Sequence, residues 1–370
     1  MIIGVDIRPL MNRQPSGVST FLCHLLDNVF KIDRRNQYKL FYNSWHSVAD
    51  RLPAWDYPNV TWQGFHWPNK LLTLSLALAR RPLIDRLIGG CDLFIVPNIC
   101  FLSLSPACKK LVVVHDLSPV FYPEFFKTKW RLAYWLAGGK KFFRSADALV
   151  AVSEHTRHDL ITTGAGDARQ INVVYPGLSA ASASAAALPP AVPKRFILTL
   201  GTREPRKNLV SVIQAYEALR RQGEDIGLVI AGGSGWLNQQ AHRLIAQSPV
   251  RADIAILGYV APAVRDALYA RAAVFVYPSF YEGFGFPPLE AMQARCPVIT
   301  SFSSATAEVC GDGALLVDPY NVRQLAEAMA AILHDDRLAA RLVNKGLDII
   351  KQFDWSESAR RLTEVFYRLA

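Results

Sequence analysis

Short apolar runs recur along the chain, each followed by a turn and then by residues that are apolar at helical spacing. In the first half they fall at residues 2–7, 38–42, 93–97, 111–114 and 148–152. In the second half they fall at residues 196–200, 228–231, 254–257 and 272–277. Most are continuous rather than alternating, which suits strands covered on both faces of a parallel sheet. After the first run, Phe21, Leu22, Leu25, Leu26 and Val29 repeat at helical spacing. This succession of strand and helix predicts an α/β fold with parallel strands joined by helical crossovers.

Residues 179–193, SAASASAAALPPAVP, interrupt the pattern with an uncharged, low-complexity stretch that reads as a linker. It separates a first domain, residues 1–178, from a second, residues 194–352, and Phe353-Asp354-Trp355-Ser356 opens a last helix to Ala370. A chain of 370 residues is too long for one typical domain, so two are expected on length as well. Half of the residues are apolar, enough for a core in each.

Composition narrows the setting. The first residues, MIIGVDIRPL, have no basic n-region or cleavage site and do not read as a signal peptide. The apolar stretch at 71–79 falls well short of the ~20 residues that span a bilayer. The six cysteines form no C-x-x-C pair and read as reduced core residues of a cytosolic protein. The formal net charge is +10, and residues 1–190 hold 21 Lys and Arg against 13 Asp and Glu. So basic a first half suggests an anionic partner: membrane headgroups or a lipid diphosphate ahead of nucleic acid, for which no motif is present. A cytoplasmic location is expected, with peripheral contact at the inner face of the cytoplasmic membrane as an option.

The candidate chemistry centres on residues 276–301, VYPSFYEGFGFPPLEAMQARCPVITS. Two carboxylates, Glu282 and Glu290, are separated by seven residues, with Gly283-Phe284-Gly285 after the first. Strand 272–277 leads in, and Pro288 suits the first turn of a helix, where a missing N–H is not needed. Glu290 is then expected in that same first turn, where the helix dipole favours negative charge. A glycine-rich turn entering a helix offers backbone N–H groups to a phosphate. With a carboxylate on either side for neutral hydroxyls, the segment suits a diphosphate flanked by polyols, which is a nucleotide-sugar.

Other strand ends carry matching chemistry. His115-Asp116 follows the run 111–114, at the carboxyl end where open α/β sheets bind ligands. Gly201-Thr202-Arg203-Glu204-Pro205-Arg206-Lys207-Asn208 follows the run 196–200, and two adjacent cations after a glycine turn suit a diphosphate. Gly232-Gly233-Ser234-Gly235-Trp236 follows 228–231, and its glycines would let backbone and nucleotide approach closely. Ser16-Gly17 before the first helix is a second phosphate-competent turn. Residues 121–144 interleave six basic residues with nine aromatics. They read either as a surface for a membrane interface or lipid-linked acceptor, with Trp130, Tyr134 and Trp135 on one helical face, or as an ordinary amphipathic helix.

The run EGFGFPPLEAM followed by CPVITS closely resembles the E-x7-E signature of retaining glycosyltransferases of family 4. GTREPRKN, AGGSGW, HDLSP and SEHTRHDL resemble further motifs of that family, the last with a structural role. The resemblance implies the GT-B fold: two doubly wound Rossmann-like domains facing across a cleft, donor in the second, acceptor in the first, the last helix crossing back. It implies a retaining hexosyltransferase, resembling bacterial mannosyl- and rhamnosyltransferases of O-antigen or capsule assembly. The implied donor is GDP-mannose, with GDP-rhamnose or a UDP-hexose as alternatives; the acceptor is a glycan or lipid-linked hydroxyl, and other assembly enzymes are candidate partners.

By the same resemblance Glu282 would hold hydroxyls of the transferred sugar, His115 would bind that sugar, and Glu290 would hold the ribose. Arg206 and Lys207 would meet the diphosphate, as would Gly17 and the backbone at Gly283, Phe284, Gly285 and Phe286. Gly233 would face the nucleotide, and Tyr259-Val260 would read the base through main-chain groups. No D-x-D triplet occurs, so neither a metal nor a further cofactor is expected. A Glu282→Ala variant is expected to lose transfer and keep its fold. Rival readings are another GT-B chemistry, such as a sugar phosphorylase or nucleotide-sugar epimerase, and a catalytically idle nucleotide-binding scaffold.

Overall fold

A computed structural model describes residues 1–12, 16–180, 186–236 and 238–370. The chain divides into two compact units. The first comprises Met1–Pro119, Thr128–Gly177 and Asp354–Ala370; the second comprises Val120–Lys127 and Leu178–Phe353.

Among its described residues the first unit contains seven parallel strands: β1 (Ile2–Asp6), β2 (Gln37–Asn43), β3 (Val60–Phe65), β4 (Leu93–Val96), β5 (Lys109–Val114), β6 (Ala148–Ala151) and β7 (Ile171–Val173). Their order is β3-β2-β1-β4-β5-β6-β7, so the direction of winding reverses between β1 and β4. The central strands carry continuous apolar runs because both faces are covered: Ile3, Val5, Leu93, Phe94, Leu111 and Val112 are buried. Helix Gly17–Ile32 follows β1 and buries Phe21, Leu22, Leu25, Leu26, Val29 and Phe30. Ser16 caps it, accepting from the Ser19 N–H while the Ser19 hydroxyl accepts from the Ser16 N–H.

The last helix, Trp355–Leu369, packs beside Gly17–Ile32 within this unit. Trp355 meets Phe21 edge-on at 5.8 Å and stacks on His24 at 5.3 Å. A Cβ at Gly177 would lie 2.3 Å from the Trp355 nitrogen, so only glycine lets the chain pass there.

The second unit contains six parallel strands among its described residues: β8 (Phe196–Leu200), β9 (Gly227–Ala231), β10 (Ile254–Gly258), β11 (Val274–Tyr277), β12 (Val298–Ser301) and β13 (Ala314–Val317). The order β10-β9-β8-β11-β12-β13 reverses between β8 and β11. Helices Leu209–Arg221 and Val322–His334 close one face over Ile197, Leu228, Val274 and Ile299.

Two expectations change. The basic aromatic stretch 121–144 is not one helix. It divides into a short helix Ser118–Phe121, a 3-10 turn Pro123–Phe125 and helices Thr128–Leu136 and Lys140–Arg144, with Gly138 and Gly139 at positive φ between the last two. Its leading part, Val120–Lys127, also belongs to the second unit, not the first. Aromatic packing is the reason: Phe121 and Tyr122 meet Tyr281, Phe125 meets Phe280, and Trp236 donates its indole N–H to the Phe125 carbonyl at 2.6 Å. Of the expected linker, residues 181–185 lie outside the described residues.

Candidate active site

Loops after β8 and β11 converge where the winding of the second sheet reverses, the place where open α/β sheets bind ligands. β8 delivers Arg206 and Lys207 through a 3-10 turn, Pro205–Lys207. Asn208 then adopts a left-handed conformation, φ 55°, and its side-chain amide donates to the carbonyls of Pro278 and Pro319. That residue ties the cation loop to the loop after β11.

The loop after β11 delivers Glu282, which is buried. Its Oε1 accepts from Lys207 Nζ at 2.6 Å, the Tyr277 hydroxyl at 2.9 Å and the Ser279 hydroxyl at 2.7 Å. Its Oε2 accepts from Arg206 at 2.8 Å. Arg206 also reaches Glu204 at 2.8 Å and the Tyr281 carbonyl at 3.0 Å. Burial alone pushes the Glu282 carboxyl up, but Arg206, Lys207 and the hydrogen bonds outweigh it and hold its pKa down at about 2. Burial and the neighbouring Arg206 lower the pKa of Lys207. The cluster therefore holds two cations on one buried carboxylate, with the Lys207 ammonium also over the Tyr277 ring at 4.9 Å.

Glu290 sits apart from this cluster in its hydrogen bonding. Helix Phe286–Gln293 starts directly after Gly285, whose φ is 109°, so Glu290 is its fifth residue and not in the first turn as expected. Its pKa is raised by burial, against the direction a helix N-terminus would give. Oε1 accepts from Arg265 at 3.2 Å and Oε2 from the Tyr269 hydroxyl at 3.1 Å, both on helix Pro262–Arg271.

The turn between the glutamates is built by packing. Phe284 is buried edge-on to Phe286 and Phe353, a core anchor whose side chain faces inward. The Glu282 N–H donates to the Ser304 hydroxyl at 2.9 Å. In the glycine loop after β9, a Cβ at Gly232 would lie 2.0 Å from the Gly201 carbonyl, and one at Gly235 equally close to that of Arg203. These two glycines serve loop-against-loop contact, whereas Gly233 faces open space. Tyr259 is exposed at the end of β10, with Val260 half-buried beside it.

His115 and Gly17 lie in the first unit. His115 follows β5, and its Nε2 lies 3.0 Å from the Pro97 carbonyl at the end of β4. Burial lowers its pKa to about 4, so the ring is neutral at pH 7. A carbonyl only accepts, which places the proton on Nε2 and leaves Nδ1 an acceptor. Gly17 is the first residue of its helix. Asp116 accepts from the Ser118 N–H and hydroxyl, a turn-forming role. Nearby, Asp6, Arg8, Ser16 and Asn98 border a cavity of about 380 Å³ at the ends of β1 and β4.

Residues 183–348 match the family described as Glycosyl transferases group 1. The O-antigen chain mannosyltransferase B of Escherichia coli is 33% identical over 258 residues, covering 67% of this chain and 67% of that protein. The chain belongs to the group 1 glycosyltransferases. The serotype-specific mannosyltransferase WbdA of Escherichia coli is 27% identical over 275 residues, and there the match spans only 34% of that protein. Among solved structures, sucrose-phosphate synthase from Thermosynechococcus elongatus superposes with TM-score 0.75 at 19% identity, covering 100% of this chain and 98% of that one. Anabaena HepE, solved with UDP-glucose, superposes with TM-score 0.70 at 20% identity over 100% of both chains. The glycosyltransferase has the GT-B fold, as expected.

Sequence reasoning picked out Glu282, Arg206 and Lys207 and did not anticipate that they bind one another. It missed Tyr277, Ser279, Glu204 and Asn208, which hold that cluster, and Arg265 and Tyr269, which hold Glu290. Tyr277 was hidden as the last residue of an apolar strand. Arg265 and Tyr269 left one signal, a polar pair four apart on a helix opened by Pro262. Among the described residues no group of three or more His, Cys, Asp or Glu is placed to hold a metal ion.

Proposed function

We propose that the enzyme transfers a hexose, with retention, from a nucleoside diphosphate hexose to a hydroxyl of a growing bacterial surface polysaccharide. The observation that carries this reading is the cluster of Arg206 and Lys207 on the buried carboxylate of Glu282, at the point where the second sheet reverses its winding. Two cations fixed on a carboxylate are preorganised for charge that develops as a diphosphate leaves. The carboxylate keeps both side chains oriented before substrate arrives. With one donor among the described residues, its Oε2 keeps acceptor capacity for a sugar hydroxyl.

Glu290, oriented by Arg265 and Tyr269, would accept from the ribose hydroxyls, and the backbone from Gly283 to Phe286 would donate to phosphate. Neutral His115 would accept a hydrogen bond from a sugar hydroxyl at Nδ1. The polar cavity beside β1 and β4 would admit an acceptor sugar.

The donor has two supported forms. A UDP-hexose is supported by HepE, a protein of the same fold solved with UDP-glucose. GDP-mannose is supported by the mannosyltransferase relatives, and GDP-rhamnose would use the same diphosphate contacts. Thermal unfolding against GDP, UDP, ADP and dTDP separates them. At one hundred times its dissociation constant a ligand that binds only the folded state adds about 2.7 kcal/mol. A selective rise with GDP or with UDP names the base. A rise with none of the four contradicts the transferase reading of this site.

A further inference from the structure

The first unit carries an exposed apolar face with a basic margin that the proposed reaction does not use. Helix Asn69–Leu78 buries Leu72 and Leu76 on one side. On the other side Leu71, Leu74 and Leu78 form a stripe at 62%, 54% and 77% exposure. In the same unit, helix Thr128–Leu136 buries none of its residues and exposes Trp130, Leu132, Trp135 and Leu136, with Trp135 at 72%. The two helices border one cavity of about 600 Å³: Leu76, Ala77 and Arg80 line it from one side, Leu136, Gly138 and Lys141 from the other. Beside that cavity each helix turns exposed apolar residues to solvent.

Charge completes the pattern. Residues 69–84 and 128–145 together hold eight Lys and Arg and no Asp or Glu. Lys140 and Arg144 are turned onto backbone carbonyls of Thr163 and Gly164. Lys70, Arg80, Arg81, Lys129, Arg131 and Lys141 are exposed, and among the described residues none of these six forms an ion pair. One acid, Asp147, lines the cavity and accepts from the Lys110 N–H. Exposed leucine and tryptophan rimmed by unpaired cations complement an interface that is apolar inside and negative at its surface. Among the described residues no helix is long and apolar enough to cross a membrane, so the face would lie on the bilayer.

We propose that this face, the leucine stripe of helix Asn69–Leu78 with Trp135 and Leu136 of helix Thr128–Leu136, docks the enzyme on a bilayer rich in anionic phospholipid. The structure narrows the basic aromatic stretch for this task. Phe121, Tyr122 and Phe125 are committed to packing in the second unit, and Tyr134 is half-buried, its phenol pushed up to about 12 by burial and by Asp116. The leucine stripe takes their place.

The test is co-sedimentation of the full chain with vesicles of phosphatidylcholine alone or mixed with phosphatidylglycerol, which does not depend on the donor or on turnover. Wild type should pellet with the mixed vesicles, be released by salt, and stay in solution with phosphatidylcholine alone. A Leu71→Ser, Leu74→Ser, Leu78→Ser variant removes only exposed side chains and should keep its thermal midpoint while losing about tenfold or more in partitioning. An Arg80→Gln, Arg81→Gln variant should lose about tenfold and flatten the salt dependence. Wild type left in solution with mixed vesicles, or a folded triple variant that pellets equally well, overturns the proposal. So does sedimentation showing that the stripe is covered by a second copy, with dimers that the triple variant dissolves and no vesicle binding.

Discussion

Glu282 is the counter-ion of two cations in a site largely closed to solvent, so removing its charge takes from Lys207 the carboxylate it binds and leaves Arg206 on Glu204. Breaking a buried pair in this way costs about 3–5 kcal/mol. The expectation that Glu282→Ala spares the fold therefore needs correction: the variant should lose transfer and also unfold at a clearly lower temperature, measured by calorimetry. The same carboxylate sets an acid limit. Its pKa is depressed from 4.5 to about 2 in the folded state, so its contribution is complete above pH 4.5 and disappears as pH falls toward 2. Stability measured from pH 5 downward should fall through that window in wild type and much less in Glu282→Gln. His115 behaves differently: with its pKa near 4 it stays neutral from pH 5 to 8, and the pH dependence of transfer should show no histidine step in that range.

At the scale of elements, the glycine loop after β9 separates two reasons for a glycine. Gly232 has φ 128° and backbone 2.0 Å from where a Cβ would stand, so Gly232→Ala should cost about 2 kcal/mol or more. Gly233 has open space, so Gly233→Ala should change stability by less than about 1 kcal/mol, both read by denaturant unfolding. The sequence pattern located this loop and nine of the thirteen strands among the described residues, β3, β7, β12 and β13 being the exceptions, because continuous apolar runs and glycine turns are local signals. β3 escaped because its residues are mostly half-buried or exposed and carry no sustained apolar run. Val120–Lys127 was misread for another reason. Its aromatics are spaced like a helical face, but Phe121 and Phe125 are placed by rings at Tyr281 and Phe280, far away in sequence. The active-site cluster divides along the same line. Arg206, Lys207 and Glu282 each stand in a short motif, whereas the bond from Lys207 to Glu282 spans 75 residues and leaves no local trace.

For the whole molecule, the two compact units do not follow the order of the chain: Asp354–Ala370 belongs with the first, and Val120–Lys127 with the second. Helix Trp355–Leu369 buries Trp355, Leu362, Val365 and Phe366, partly over Phe21 of the first unit. A chain ending at Phe353 should therefore lose stability in that unit while the second stays folded, seen as early hydrogen exchange confined to helix Gly17–Ile32 and its strands. The central claim is that Arg206 and Lys207, held by Glu282, receive the diphosphate of a nucleotide-sugar. Titration calorimetry of wild type and Lys207→Ala with GDP-mannose and UDP-glucose tests it most directly, because Glu282 keeps Arg206 as its partner in that variant. The account predicts that wild type binds one of the two donors and that the variant binds it about ten- to a hundredfold more weakly, the worth of a charged hydrogen bond to phosphate. Equal binding by wild type and variant would contradict it.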